Sequence, residues 1–139
     1  MSSASSRRGV TIREVMTSHV RTARPEQNLQ EIWRMLTDER CHHIPIVDAG
    51  RPIGMVSTRD LVRVARKHGA EKLSAGLYGH ETAADVMTRG LETIYVDESV
   101  ESAIDRIGVG EFHALVVLDD DENLAGIVTN HDLLHYLAD

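Results

Sequence analysis

Along the chain, apolar positions follow a helical period, then two short apolar runs, then a helical period again, and this order occurs twice. Leu29, Ile32, Trp33 and Leu36 have the i, i+3, i+4, i+7 spacing of one helix face. Asn28 stands before them where an N-cap belongs, with Glu31 three residues on, the order of a capping box. The runs "IPIV" (44–47) and "PIGMVS" (52–57) flank a short glycine-containing turn and predict two tightly connected strands. Leu61, Val62 and Ala65 then predict a second helix with these three side chains turned inward.

The same phrase returns 71 positions later, where Val100, Ala103, Ile104 and Ile107 repeat the helical face and Ser99 takes the cap position. "TIREVMT" (11–17) comes back as "TAADVMT" (82–88), Thr22 falls on Thr93, and His42 falls on His113. One extra residue in the acidic loop makes the shift 72, so "GMVSTRD" (54–60) meets "GIVTNHD" (126–132). The second helix of this copy is expected to turn Leu133, Leu134 and Leu137 inward. So regular a repeat predicts two supersecondary units in register. Each reads strand–helix–strand–strand–helix, an α/β (α+β) chain with repeat one at 11–68, a linker at 69–81, repeat two at 82–139 and a tail at 1–10. Two prolines of the first copy change: Pro25 becomes Val96 and Pro45 becomes Val116. Gly108 and Gly110 fall near the end of the second copy's first helix. Each disfavours helix by about 1 kcal/mol, so that helix is expected to end early.

Composition narrows the setting. At 139 residues a core can form without staples, and a single cysteine, Cys41, excludes an intrachain disulfide and favours a reducing, cytoplasmic location. No apolar run approaches a membrane span, and the first nine residues lack the apolar stretch of a signal peptide. The net charge of −7 and the aromatic content of 4% argue against nucleic acid as a partner, because backbone binding needs a basic face and single strands need stacking platforms.

The candidate chemistry lies at the repeated strand-to-helix joint, Ser57-x-x-Asp60 and Thr129-x-x-Asp132. As helix caps, the hydroxyl would accept an amide and the acid would face the positive helix end. Capping boxes favour the longer Glu or Gln at the third position, so two aspartates fit slightly less well. As a binding site, the free amides of a helix start attract an anion, and a carboxylate one turn in can grip both hydroxyls of a ribose. Both roles are compatible.

The motifs "VMT…T…P…HHIPIVD…GMVSTRD" and "VMT…T…HALVVLD…GIVTNHD" resemble the two halves of a tandem CBS-domain pair, a Bateman module, over Thr11 to Leu137. The resemblance implies two βαββα units about a pseudo-twofold axis with two clefts that bind adenosine nucleotides (AMP, ADP or ATP). It also implies a homodimer and an unidentified downstream protein that the module regulates; no further domain is read in this chain. Carried over by position, Asp60 and Asp132 would hold ribose, with Ser57, Thr58 and Arg59, and Thr129, Asn130 and His131, contacting ribose or phosphate. His42 and His113 would reach phosphates, as in kinase-regulating relatives, or serve only as part-exposed strand-entry residues. Where such relatives often carry a neighbouring arginine, this chain has His43 or Ala114. That implies weaker phosphate holding in the second copy, with Arg59 compensating in the first. Thr22 and Thr93 would lie against the adenosine. Cys41 and Phe112 would line the base pocket, with core packing the alternative for both and the favoured one for Cys41.

No cofactor is required by this reading. "CHH" (41–43) does not suggest a metal site, because adjacent strand residues point to opposite faces. No nucleophile elbow, phosphate loop or HExxH pair suggests an enzyme. Two other functions stay open: a ligand-free dimerisation and interaction scaffold, and a divalent-cation sensor using the hard-oxygen cluster "DDDE" (119–122).

Overall fold

The computed structural model describes residues 9–38, 41–69, 81–109 and 114–138. Phe112 and His113 lie outside the described residues, as do most of the expected tail (1–10) and linker (69–81). In chain order the elements are α1 (Ile12–Val15), α2 (Leu29–Asp38), β1 (His43–Asp48), β2 (Arg51–Ser57), α3 (Thr58–His68) and α4 (Ala83–Val86). They continue with β3 (Thr93–Tyr95), α5 (Val100–Val109), β4 (Ala114–Leu118), β5 (Leu124–Thr129) and α6 (Asn130–Ala138). No helix among the described residues is long and apolar enough to cross a membrane.

The chain divides into two compact units: Arg21–Leu91, and a second made of Met1–Val20 with Glu92–Asp139. The sequence repeats and the compact units partition the chain differently. The Thr11–Thr17 segment bridges to Ser99 and Ile127, while the Thr82–Thr88 segment bridges to Asn28 and Met55. Each unit therefore takes its short leading helix from the start of the other repeat. A glycine permits each attachment. A Cβ on Gly54 would lie 2.3 Å from Met87 Sδ, and one on Gly126 would lie 2.5 Å from the Thr17 carbonyl oxygen. The "VMT" segments can close on the strands only where the side chain is missing.

Each unit has its own core. In Arg21–Leu91, α2 contributes Leu29, Ile32, Met35 and Leu36, the strands Ile44, Ile46 and Val56, and α3 Leu61 and Val64. In the other unit Ile12, Ile94, Val96, Val100, Ala103, Leu115, Val117, Val128 and Leu133 do the same work. Of the first helical stripe predicted in each repeat, Leu29, Ile32, Leu36, Val100 and Ala103 are buried and Trp33, Ile104 and Ile107 partly buried.

The sheets differ. The discontinuous unit has three strands in the order β3-β4-β5, with β3 parallel and β5 antiparallel to β4. The unit Arg21–Leu91 has only the β1–β2 hairpin, and its expected first strand near Thr22 is reduced to one parallel bridge, Ala23 to Ile46. The two prolines explain this. In the three-stranded sheet Val96 N–H donates to Leu118 O at 3.0 Å and Val116 N–H donates to Glu92 O at 2.9 Å. Their counterparts, Pro25 and Pro45, have no N–H to give.

Two helix expectations need correction. Val62, Leu134 and Leu137 are not turned inward: they are 67%, 63% and 52% exposed. The buried stripe runs through Leu61 and Val64 on α3, and through Leu133 and the partly buried Tyr136 on α6. Side chains one residue further along stand about 100° round the helix, away from the core. Nor does α5 end early. It spans ten residues, as α2 does, and runs through Gly108. Burial of Val100 and Ala103 on its inward face outweighs a cost of about 1 kcal/mol for one glycine.

Candidate functional site: the paired strand-to-helix corners

At the first corner β2 runs without a loop into α3. Gly54, Met55 and Val56 are buried, and Ser57 stays extended at φ −117° and ψ 170° as the N-cap. Ser57 N–H donates to Asp60 Oδ2 at 2.8 Å, and Asp60 N–H donates back to Ser57 Oγ at 3.4 Å. The box therefore closes with an aspartate at its third position. The short acid reaches because it takes both the Ser57 amide and the Ser57 hydroxyl, the latter at 3.1 Å.

The other oxygen of Asp60 looks outward from the cap. Its Oδ1 accepts from the Thr88 hydroxyl at 3.0 Å and from Arg63 Nη2 at 3.1 Å. Arg63 Nη2 also donates to the carbonyl of Val86 at 3.2 Å, which fastens α3 to the end of α4. Asp60 is 4% exposed, and is the one charged side chain buried among the described residues. A buried carboxylate persists only when its acceptors are used, and here donors meet both oxygens.

The second corner repeats the design with less. Thr129 N–H and hydroxyl donate to Asp132 Oδ2 at 2.9 and 3.2 Å, and Asp132 N–H donates to Thr129 Oγ1 at 3.4 Å. The Thr17 hydroxyl donates to Asp132 Oδ1 at 2.9 Å, as Thr88 does at the first corner. Asp132 is partly exposed. The counterpart of Arg63 is His135, whose ring stacks on His131 with centroids 6.0 Å apart.

The remaining site residues divide by distance from these joints. The carbonyl of His42 accepts from Thr58 N–H at 3.2 Å, so His42 sits at the first corner with its side chain exposed. Thr58 and Arg59, and Asn130 and His131, open their helices on exposed positions. Thr93 starts β3, and its carbonyl accepts from Arg106 Nη1. Thr22 lines an open cavity at the β1–β2 turn with Arg24, Gln27 and Asp48, where no hydrogen bond among the described residues ties it to Asp60. The Cys41 thiol donates to Met35 O at 3.3 Å and packs against the core.

Thr17, Thr88 and Arg63 escaped the sequence reading. The first two stand in the repeated "VMT", a signal that was available; Arg63 has no matching residue in the second copy and left none. Also unread were two more hydroxyl-x-x-acid boxes, Thr11 with Glu14 and Thr82 with Asp85. Their presence shows that the box alone is a structural device in this chain.

In the "DDDE" turn, Asp119 Oδ1 accepts the amides of Asp121 and Asn123 at 2.9 and 3.0 Å, and Glu122 accepts the Tyr95 hydroxyl at 2.5 Å. Among the described residues no three His, Cys, Asp or Glu side chains converge as metal ligands would.

A family model for the CBS domain matches residues 12–67 and 83–139. The chain belongs to the CBS-domain family. Two solved CBS pairs share its fold. CBSX2 from Arabidopsis thaliana in complex with AMP superposes with a TM-score of 0.79 at 23% identity, over 94% of this chain and 97% of that one. The CBS pair of MJ0100, in complex with 5′-methylthioadenosine and S-adenosyl-L-methionine, gives 0.78 at 22% identity, over 93% and 96%. Among curated proteins, the L-aspartate semialdehyde sulfurtransferase of Methanocaldococcus jannaschii is 23% identical over 88% of this chain, which spans only 22% of that protein. The chain spans less than half the length of the first four curated relatives it matches.

Proposed function

We propose that this CBS pair is a regulatory module whose effector is an adenosine compound, bound through the ribose at the strand-to-helix corners. The observation that carries the reading is the doubled placement of an aspartate with a cap hydroxyl and a threonine hydroxyl beside fresh helix amides. A vicinal diol can replace the hydroxyl donors on the carboxylate, and the amides and neighbouring basic groups suit a phosphate. Ser57, Thr58, Arg59 and Asp60, with His42, make one corner. Thr129, Asn130, His131 and Asp132 make the other, with Thr93 on β3 a peripheral member as Thr22 is in the first. His113 and Phe112, outside the described residues, are assigned to the second site by the family resemblance alone. Thr22 and Cys41 are the peripheral members. Support comes also from fold neighbours that hold AMP, methylthioadenosine and S-adenosylmethionine, which all share the adenosine group.

Regulation requires that the effector bind two states of the module unequally, so that occupancy shifts their balance. Calorimetric titration with AMP, ADP, ATP, 5′-methylthioadenosine and S-adenosylmethionine tests the binding directly. At least one compound is expected to bind and to raise Tm as its concentration grows. Flat titrations throughout would remove the proposal.

A second reading rests on a separate observation, the exposed Val62 on α3 and Leu134 and Leu137 on α6. Such apolar positions suit self-association, the scaffold role. A dimer by light scattering that Leu134→Glu or Val62→Glu reduces to monomer would support it.

A further inference from the structure

Both histidines of α6 lie on one side of that helix. His131 and His135 are four residues apart, the spacing that sets side chains one turn above each other, and both are exposed. Their rings are stacked, with centroids 6.0 Å apart and planes 25° from parallel. Two imidazoles that share a metal ion have centroids about 5 Å apart, since each metal–nitrogen bond is about 2.1 Å. The rings need close by only about an ångström, which small rotations of two exposed side chains supply.

The surroundings favour a cation. No lysine or arginine stands on α6. Its unit, Met1–Val20 with Glu92–Asp139, has 13 Asp and Glu against four Arg in sequence, so its field attracts positive ions. At the matching positions of the first copy stand Arg59 and Arg63, guanidiniums that stay protonated and cannot ligate.

We propose that His131 and His135 chelate a divalent late first-row transition metal ion. Imidazole nitrogen suits Zn²⁺, Ni²⁺ and Cu²⁺, whereas Mg²⁺ demands oxygen ligands. Two ligands fall short of the four of a closed structural site, so water completes the shell. The run from His131 to His135 has the spacing of a zinc hydrolase's histidine pair. Its acid, however, is committed to the cap, for Asp132 Oδ2 accepts from the Thr129 amide and hydroxyl. The pair holds metal without supplying a base. A bound ion clips one turn of α6 and stabilises its unit by mass action. This needs no nucleotide and stands apart from the adenosine reading.

Calorimetric titration of the full chain with Zn²⁺ alone tests it. Zn²⁺ should bind and raise Tm, and Mg²⁺ at equal ionic strength should not. His131→Gln and His135→Gln should each weaken the tightest site by at least about tenfold, since a lone imidazole loses the advantage of linkage. Adding Leu134→His to His131→Gln restores the histidine number but not the spacing, and should not restore binding. Circular dichroism of each variant separates lost binding from lost fold. Absent Zn²⁺ binding, or equal responses to Zn²⁺ and Mg²⁺, overturns the proposal. Unchanged affinity in both single variants, or full affinity in the respaced one, overturns it too, by assigning the ion to other side chains. Each of these outcomes leaves the adenosine reading as it was.

Discussion

Where β2 meets α3, the Asp60 carboxylate is 4% exposed and accepts four hydrogen bonds; where β5 meets α6, Asp132 is partly exposed and accepts three. The sheets show the opposite inequality, for the unit with the tighter corner has two strands and the other has three. One ancestral phrase has thus been spent differently. Prolines at 25 and 45 remove ladder donors from Arg21–Leu91, whose corner is locked by Arg63. Valines at 96 and 116 complete the other sheet, at whose corner Asp132 accepts three hydrogen bonds from described residues.

The largest break in the comparison should come from the acids themselves. Asp60→Ala removes the acid of a capping box worth about 1 kcal/mol and also deprives Thr88, the Ser57 amide and Arg63 of this acceptor, Arg63 keeping its bond to Val86 O, for about 3 kcal/mol in all. Asp132→Ala loses the cap and the Thr17 bond in a wetter place and should cost about 1.5 kcal/mol. Urea unfolding followed by far-ultraviolet circular dichroism measures both. Equal losses would mean that the extra donor at Asp60 contributes nothing. Trp33, the only tryptophan, lies in Arg21–Leu91, so its fluorescence reports that unit and shows whether it opens alone.

Much of this was open to reading before any coordinates. The 71-residue repeat located the longer helices, the hairpins and their caps, because apolar spacing and cap residues are local signals, but not the four-residue helices α1 and α4. The corner as a place was legible too, from Ser57 and Asp60 beside Thr129 and Asp132. What was not legible depended on neighbours distant in sequence. Val62, Leu134 and Leu137 belong to a second apolar stripe, and only packing says which stripe faces the core. The Arg63 bond to Asp60 needs α4 alongside, since Val86 O holds the same nitrogen. The exchange of leading helices between repeats leaves no mark in either repeat.

A smaller contrast lies in the two glycines under the "VMT" segments. Gly126→Ala would press a Cβ to 2.5 Å from the Thr17 carbonyl, a backbone atom that also accepts the Ile127 amide and cannot easily retreat. Overpacking of this kind should cost about 2 kcal/mol. Gly54→Ala meets Met87 Sδ at 2.3 Å and Cγ at 2.8 Å, side-chain rather than main-chain atoms that can shift with the rotamer, and should cost about 1 kcal/mol. Shifts of the urea midpoint give the ratio. If Gly54→Ala proves the costlier, Met87 is fixed as rigidly as a main chain.

The smallest expected effect separates the units by pH. Tyr95 donates its hydroxyl to Glu122 at 2.5 Å, tying β3 to the acidic turn. Its pKa is raised above the ordinary 10.0, first by that hydrogen bond and then by the Glu122 charge, with smaller contributions from burial and Glu98. Ionising the phenol would set an anion against a carboxylate. A group whose folded pKa is raised lends stability that is complete below its unfolded value and is lost as pH rises through the folded one. In the other repeat the Tyr95 position is held by Arg24, which pairs with Glu26. The difference in urea midpoint between the parent and Tyr95→Phe should therefore be small and constant from about pH 7 to pH 10, then shrink above that. A difference that persists undiminished at high pH would mean that the ring's packing, not its hydroxyl, holds the turn.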